Sequence, residues 1–241
     1  MTIQEHELDE DSLQERLYIL QNSASEMGIS CYVILEGWAQ TGKGRIIKKL
    51  IYRMDPKKYK VYSPVNTELW DSKYPFLYKY WYHFPPKGFA FFLLKSWYYR
   101  VSYAIRKGDV KKQDISNNLK TIMNLERTLA EDGILIIKFF LDLGEKDLSK
   151  RLKKAKKEGK TWETTLEDLD QAENYESYKK LFMNYIQLTD QPYAPWILIP
   201  SDDNSEARLS VMVQLINHLE KKLGVDSNEL LQKLRSAGET E

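Results

Sequence analysis

Between Gly37 and Gly44 the chain reads GWAQTGKG, and residues of these types at this spacing can hold a phosphate. The pattern is G-x4-G-K, in which successive backbone N–H groups line a concave nest and a lysine neutralises the anion. Gly37, Gly42, Lys43 and Gly44 are therefore the candidate phosphate-binding residues. What the loop lacks is equally informative. Trp38, Ala39, Gln40 and Thr41 fill its interior without a carboxylate, and Gly44 stands where many such loops carry the Ser or Thr that ligates Mg²⁺. Such a loop can bind an anion, but metal-assisted phosphoryl transfer needs carboxylates from elsewhere in the chain.

A phosphate nest works where a strand delivers the chain to a helix N-terminus, because the N–H groups there point at the ligand. Cys31, Tyr32, Val33, Ile34 and Leu35 form the short continuous apolar run expected of a strand covered on both faces. After the loop, Ile46, Ile47, Leu50 and Ile51 make one apolar helical face that stops near Asp55 and Pro56. Upstream, Leu13, Leu17, Leu20, Ala24 and Met27 recur at helical spacing behind a capping box of Ser12 and Glu15, with Gly28 as the stop.

The alternation continues. Further strands are expected from Tyr59 in YKVYSP, over Gly88 to Leu94, over Ile134 to Leu143 and over Trp196 to Pro200. Helices are expected over the aromatic stretch Pro75 to Phe84, near Ile115 to Asp132, in the basic segment after Leu143, around Tyr175 to Thr189, and through Leu209, Val213, Ile216, Leu219 and Leu223. This order predicts an α/β fold with a doubly wound parallel sheet. With no internal repeat and no dividing linker, residues 1–241 are expected to form one domain.

Lys and Arg number 36 and Asp and Glu 35, so the net charge of +1 gives no overall field for nucleic acid, and none is expected as a partner. The single cysteine, Cys31, sits in an apolar run and reads as a small core residue of a protein from a reducing compartment. No apolar run reaches the length of a membrane span, and Glu5, Glu7, Asp9, Glu10 and Asp11 are the opposite of a basic signal-peptide start. A cytoplasmic location without a membrane partner is the expectation. His6, His83 and His218 lack metal-ligand spacing. The segment Arg151 to Lys160, RLKKAKKEGK, either lines a polyanion channel or forms a solvated helix face. The run Tyr74, Phe76, Tyr78, Tyr80, Trp81, Tyr82 and Phe84 reads as core packing or a contact surface, with base stacking as the alternative.

Four segments in order carry a family likeness: EGWAQTGKG from Glu36, SWYYRV from Ser96, EDGILIIKFFLDL from Glu131 and TDQPYAPWILIPSDD from Thr189. Over nearly its whole length the chain resembles the polyphosphate kinase 2 family, which includes the polyphosphate:AMP phosphotransferases. The resemblance implies a P-loop kinase-like three-layer fold, with a leading helix in residues 1–28 and a helical lid over 144–172. It also implies phosphoryl transfer between inorganic polyphosphate and nucleotides with Mg²⁺.

The departures lie at the chemistry. The family's first loop usually reads G-x-D-x-x-G-K-G, and its aspartate falls on Ala39. Its second loop usually reads D-R-S-W-Y, and its aspartate and arginine fall on Leu94 and Lys95. The glutamate and arginine that often follow appear as Ala104 and Ile105. In the lid the family's K-R-W-K is Lys160, Thr161, Trp162 and Glu163, while Ser201, Asp202, Asp203 and Arg208 match behind Pro200. Lys95, Arg100, Arg106, Lys160 and Arg208 are candidate anion contacts, and Glu36 and Asp142 are carboxylates at strand ends that family members also carry.

With both aspartate positions apolar, no catalytic residue can be named. The leading expectation is a degenerate phosphotransferase domain similar to the leading copy of two-domain members. It would hold polyphosphate or phosphate, with nucleotide as a further ligand, or serve assembly as a homo-oligomer or beside a catalytic copy. One alternative is an active polyphosphate:AMP phosphotransferase with an unconventional site for Mg²⁺. Another is a structural module that docks a partner.

Overall fold

Runs rich in β-branched and aromatic residues form the strands, and 3.6-residue apolar patterns form the helices that cover them. The computed structural model describes residues 9–64, 73–108, 112–159 and 164–238. In chain order its elements are α1 (Glu10–Glu26), β1 (Cys31–Gly37), α2 (Lys43–Leu50), β2 (Tyr59–Tyr62), α3 (Tyr78–Trp81), β3 (Ala90–Leu94), α4 (Trp97–Lys107) and α5 (Lys112–Glu131). They continue with β4 (Leu135–Asp142), α6 (Glu145–Lys157), α7 (Leu166–Glu173), α8 (Tyr175–Thr189), β5 (Trp196–Pro200), α9 (Asn204–Leu223) and α10 (Ser227–Gly238).

The five strands pair in the order β2-β3-β1-β4-β5, and every pairing is parallel. Because side chains alternate across a strand, β1 sends Tyr32 and Ile34 to one core and Cys31, Val33 and Leu35 to the other. The first core packs Trp97, Tyr98, Ile122, Phe182 and Tyr185 beneath α4, α5 and α8. The second packs Leu17, Leu20, Ile47, Met212 and Ile216 beneath α1, α2 and α9. Helices on both faces of a parallel sheet make the three-layer arrangement that the alternation predicts.

Three expectations need correction. Helix α1 starts at Glu10 behind Asp9, whose side chain makes no cap hydrogen bond, so Ser12 and Glu15 lie inside the helix and do not cap it. The aromatic stretch is helical only over Tyr78–Trp81. It divides between core and surface, with Tyr80 buried and Tyr82 70% exposed. Helix α4 begins directly after β3, where the sequence reads as a second loop: the Ser96 hydroxyl accepts from Tyr98 N at 3.1 Å and caps it. Lys160, Thr161, Trp162 and Glu163 lie outside the described residues. No described helix is long and apolar enough to cross a membrane.

Candidate functional site

Strand β1 sits at the switch point of the sheet, with β3 on one side and β4 on the other, and ligands of such sheets bind beyond the strands' C-terminal ends. The glycine loop leaves β1 at that point. Gly37 has φ +124°, and a Cβ there would lie 2.3 Å from the Leu141 carbonyl oxygen, so only glycine lets β1 run against β4. Gly42, with φ +76°, turns the chain into α2, which begins at Lys43. The two described non-glycine residues with positive φ, Gln40 at 59° and Lys95 at 50°, both line the cleft beside this loop. Backbone strain of this kind collects at functional sites.

Lys43 is turned onto its own loop. Its Nζ donates to Gly37 O at 2.8 Å, Trp38 O at 2.6 Å and Thr41 Oγ1 at 3.5 Å, which uses all three ammonium donors. Desolvation pushes this ammonium below the ordinary lysine range, against the pull of the Glu36, Asp168 and Glu167 carboxylates. Trp38 anchors the loop: its Nε1 donates to Asp142 Oδ1 at 3.0 Å, and its ring stacks on Tyr175 at 4.1 Å. Ala39 N donates to Gln171 Oε1 at 2.8 Å, and Gln40 Nε2 donates to Asp168 Oδ2 at 3.2 Å, so α7 bears directly on the loop.

Glu36 joins the two loops. Its Oε1 accepts from Ser96 N at 2.8 Å and Ser96 Oγ at 2.5 Å. Burial raises the Glu36 carboxyl, while the Ser96 donors and Lys43 pull it down. On the other side Arg151 of α6 clamps the backbone: Nη1 donates to Gln40 O at 2.9 Å, and Nη2 donates to Ser201 O at 2.5 Å and Asp202 O at 2.8 Å.

A cleft of about 480 Å³ brings together Ala39, Gly42, Lys43, Gly44, Leu94 and Lys95, with Asp168 and Ser63 at its walls. A second cleft of about 310 Å³ shares Gln40 and Arg45 with it and adds Lys150, Arg151, Lys154 and Asn204. The remaining candidate cations go elsewhere. Arg106 forms a bidentate pair with Asp170 at 2.7 and 3.2 Å, and its guanidinium lies 4.6 Å over the Tyr178 ring. Arg208 binds Glu10 of α1 at 2.6 Å, and Arg100 lies 5.1 Å over the Phe76 ring. Asp142 is taken by Trp38 and by Leu143 N. Sequence reasoning missed Gln171 and Asp168 as loop contacts and Glu167 as the partner of Tyr99, and it marked Arg151 only as the start of a basic segment; the local signal for α7 was the capping box of Thr165 and Asp168.

The fit for Mg²⁺ is poor. The positions where the resemblance expects aspartates, Ala39 and Leu94, give this cleft apolar walls. Glu36, Glu167 and Asp168 are engaged by Ser96, Tyr99 and Gln40, respectively. Among the described residues no group of three or more His, Cys, Asp or Glu could hold a metal ion. These residues do not form a magnesium cage.

A central strand closed by G-x4-G-K, in a parallel sheet of order 2-3-1-4-5, defines a P-loop kinase-like protein. The chain belongs to the polyphosphate kinase 2 family, whose model matches residues 2–226. It is 25% identical over 209 residues to an ADP-polyphosphate phosphotransferase of Rhizobium meliloti, covering 86% of this chain and 73% of that one. It is 26% identical over 227 residues to a polyphosphate:AMP phosphotransferase of Pseudomonas aeruginosa, covering 90% of this chain but only 46% of that one. The crystal structure of polyphosphate kinase 2 from Arthrobacter aurescens superimposes with a TM-score of 0.84 at 22% identity, covering 90% of this chain and 78% of that one.

Proposed function

We propose that this chain is a polyphosphate-binding member of its family in which phosphoryl transfer to a nucleotide is lost or very weak. One observation carries the reading: Ala39 and Leu94 line the same cleft as Lys43, so two carboxylates are missing from one site. A positioned acid or base contributes on the order of 10²- to 10⁴-fold, and a Lewis-acid metal several kcal/mol more. The groups that would hold an anion are all present in the chain. The loop's N–H groups, the start of α2 and the cations Lys43, Lys95 and Arg45 need no metal to attract a polyanion. The two clefts meeting at Gln40 and Arg45 support a track that continues past Lys150, Arg151 and Lys154.

The test has two arms. With AMP, polyphosphate and Mg²⁺ the chain makes little or no ADP; turnover in the ordinary range of about 1 to 10³ per second overturns the reading. Ala39→Asp alone restores almost nothing, because Leu94 keeps an apolar wall, and only the pair with Leu94→Asp recovers activity. In the second arm, polyphosphate binds in calorimetry at low salt with a chelator present, and Lys43→Ala loses that binding while its circular dichroism is unchanged. If Lys43→Ala binds as the parent does, the loop holds no ligand. The second reading, an active enzyme with an unconventional metal site, draws on Asp168 in the cleft wall, and turnover in the first arm would favour it.

A further inference from the structure

One turn of α7 lies against the phosphate loop through Asp168 and Gln171. Gln171, itself buried, takes the Ala39 N–H at 2.8 Å, and Asp168 takes the Gln40 side-chain amide at 3.2 Å. Glu167 accepts the Tyr99 hydroxyl from α4. Asp170, on the same helix, is held by Arg106 at 2.7 Å and by the Tyr178 hydroxyl at 2.6 Å. The loop N–H that an anion would use is thus filled by an amide oxygen, and two carboxylates stand in the field of Lys43 and Lys95.

We propose that α7 is an autoinhibitory latch: Asp168 and Gln171 occupy the phosphate loop in place of an anion, Glu167 fastens the turn to α4 through Tyr99, and an incoming polyanion displaces them. The proposal deepens the reading of the cleft as a polyanion site and rests on it. A phosphate chain cannot share the Ala39 N–H with Gln171, and it meets the carboxylates of Glu167 and Asp168 as like charges. The Arg106–Asp170 pair lies one residue from Gln171 and is a second tether on the same helix.

Inorganic tripolyphosphate is titrated at low salt into the parent chain, Glu167→Gln and Tyr99→Phe. Glu167→Gln keeps an acceptor for Tyr99 but removes a charge, so its affinity rises about five- to tenfold and the gain shrinks as salt screens it. Tyr99→Phe changes no charge and removes one latch bond, so its affinity rises about two- to fivefold. A purely electrostatic role for Glu167 would raise affinity in Glu167→Gln and leave Tyr99→Phe unmoved, and that outcome overturns the latch. Unchanged affinity in both variants, or weaker affinity in either, overturns the latch. Hydrogen exchange on the parent chain needs no variant: tripolyphosphate speeds exchange of the α7 amides, and equal or slower exchange overturns the proposal. A parent chain that binds no tripolyphosphate at all overturns the polyanion reading itself, whereas a parent that binds without these changes overturns the latch alone.

Discussion

Gly37 and Gly44 belong to one motif, yet physical chemistry gives them different duties. At Gly37 a methyl group would meet the Leu141 backbone at 2.3 Å, and neither backbone can yield without parting β1 from β4. Gly37→Ala therefore destabilises the chain by at least about 3 kcal/mol, through overpacking and a φ that alanine resists. At Gly44 a Cβ meets nothing within 4 Å and the residue is helical, so Gly44→Ala stabilises by about 0.5–1 kcal/mol. Urea denaturation of the two variants checks both signs. The motif itself was legible, because its glycines, its lysine and the flanking apolar runs are local. The partners that reach it were not. Ser96 meets Glu36 across 60 positions of chain and Gln171 meets Ala39 across 132, and no local pattern encodes such a meeting.

The strands were the most legible elements, since a run buried on both faces must be apolar at every position. Strand β4 breaks that rule at Lys138, which is fully buried with Glu126 of α5. Lys138 Nζ donates to Glu126 Oε2 at 2.8 Å, Tyr98 OH at 3.0 Å and Thr189 O at 2.8 Å. Glu126 Oε1 accepts from Trp97 Nε1 at 3.0 Å, so this pair locks the first turn of α4 to the sheet behind Ser96 and Lys95. Lys138→Met leaves a buried carboxylate unpaired and costs about 3–5 kcal/mol. Adding Glu126→Gln removes that charge and keeps acceptors for Trp97 and Tyr98, so the double variant regains part of the loss. Chemical denaturation of the three variants measures the coupling. Helix α4 itself was hidden in the sequence, because its opening WYY is aromatic on every side and shows no polar face until Arg100. Helix α7 was equally obscure: Leu166 is 86% exposed, and its inward contacts are made by polar side chains.

At the scale of the whole molecule, a net charge of +1 leaves no long-range field, so the polyanion binding proposed above would have to draw on the cations gathered at the clefts. Polyphosphate affinity should fall steeply with added salt, and Lys95→Ala should lower the slope of log affinity against log salt by about one, at a stability cost of no more than about 1 kcal/mol for its contact over the Tyr99 ring. A slope unchanged by Lys95→Ala would show that the polyanion passes elsewhere. The sheet order also governs how this chain comes into being. Its central strand is made early, yet Cys31 pairs only with Ala90 and Leu135, and β5 must still arrive to cover β4. A ribosome therefore releases β1 as an apolar segment without neighbours until β3 has emerged, which is the interval when a nascent chain of this topology is exposed to aggregation and to chaperone capture.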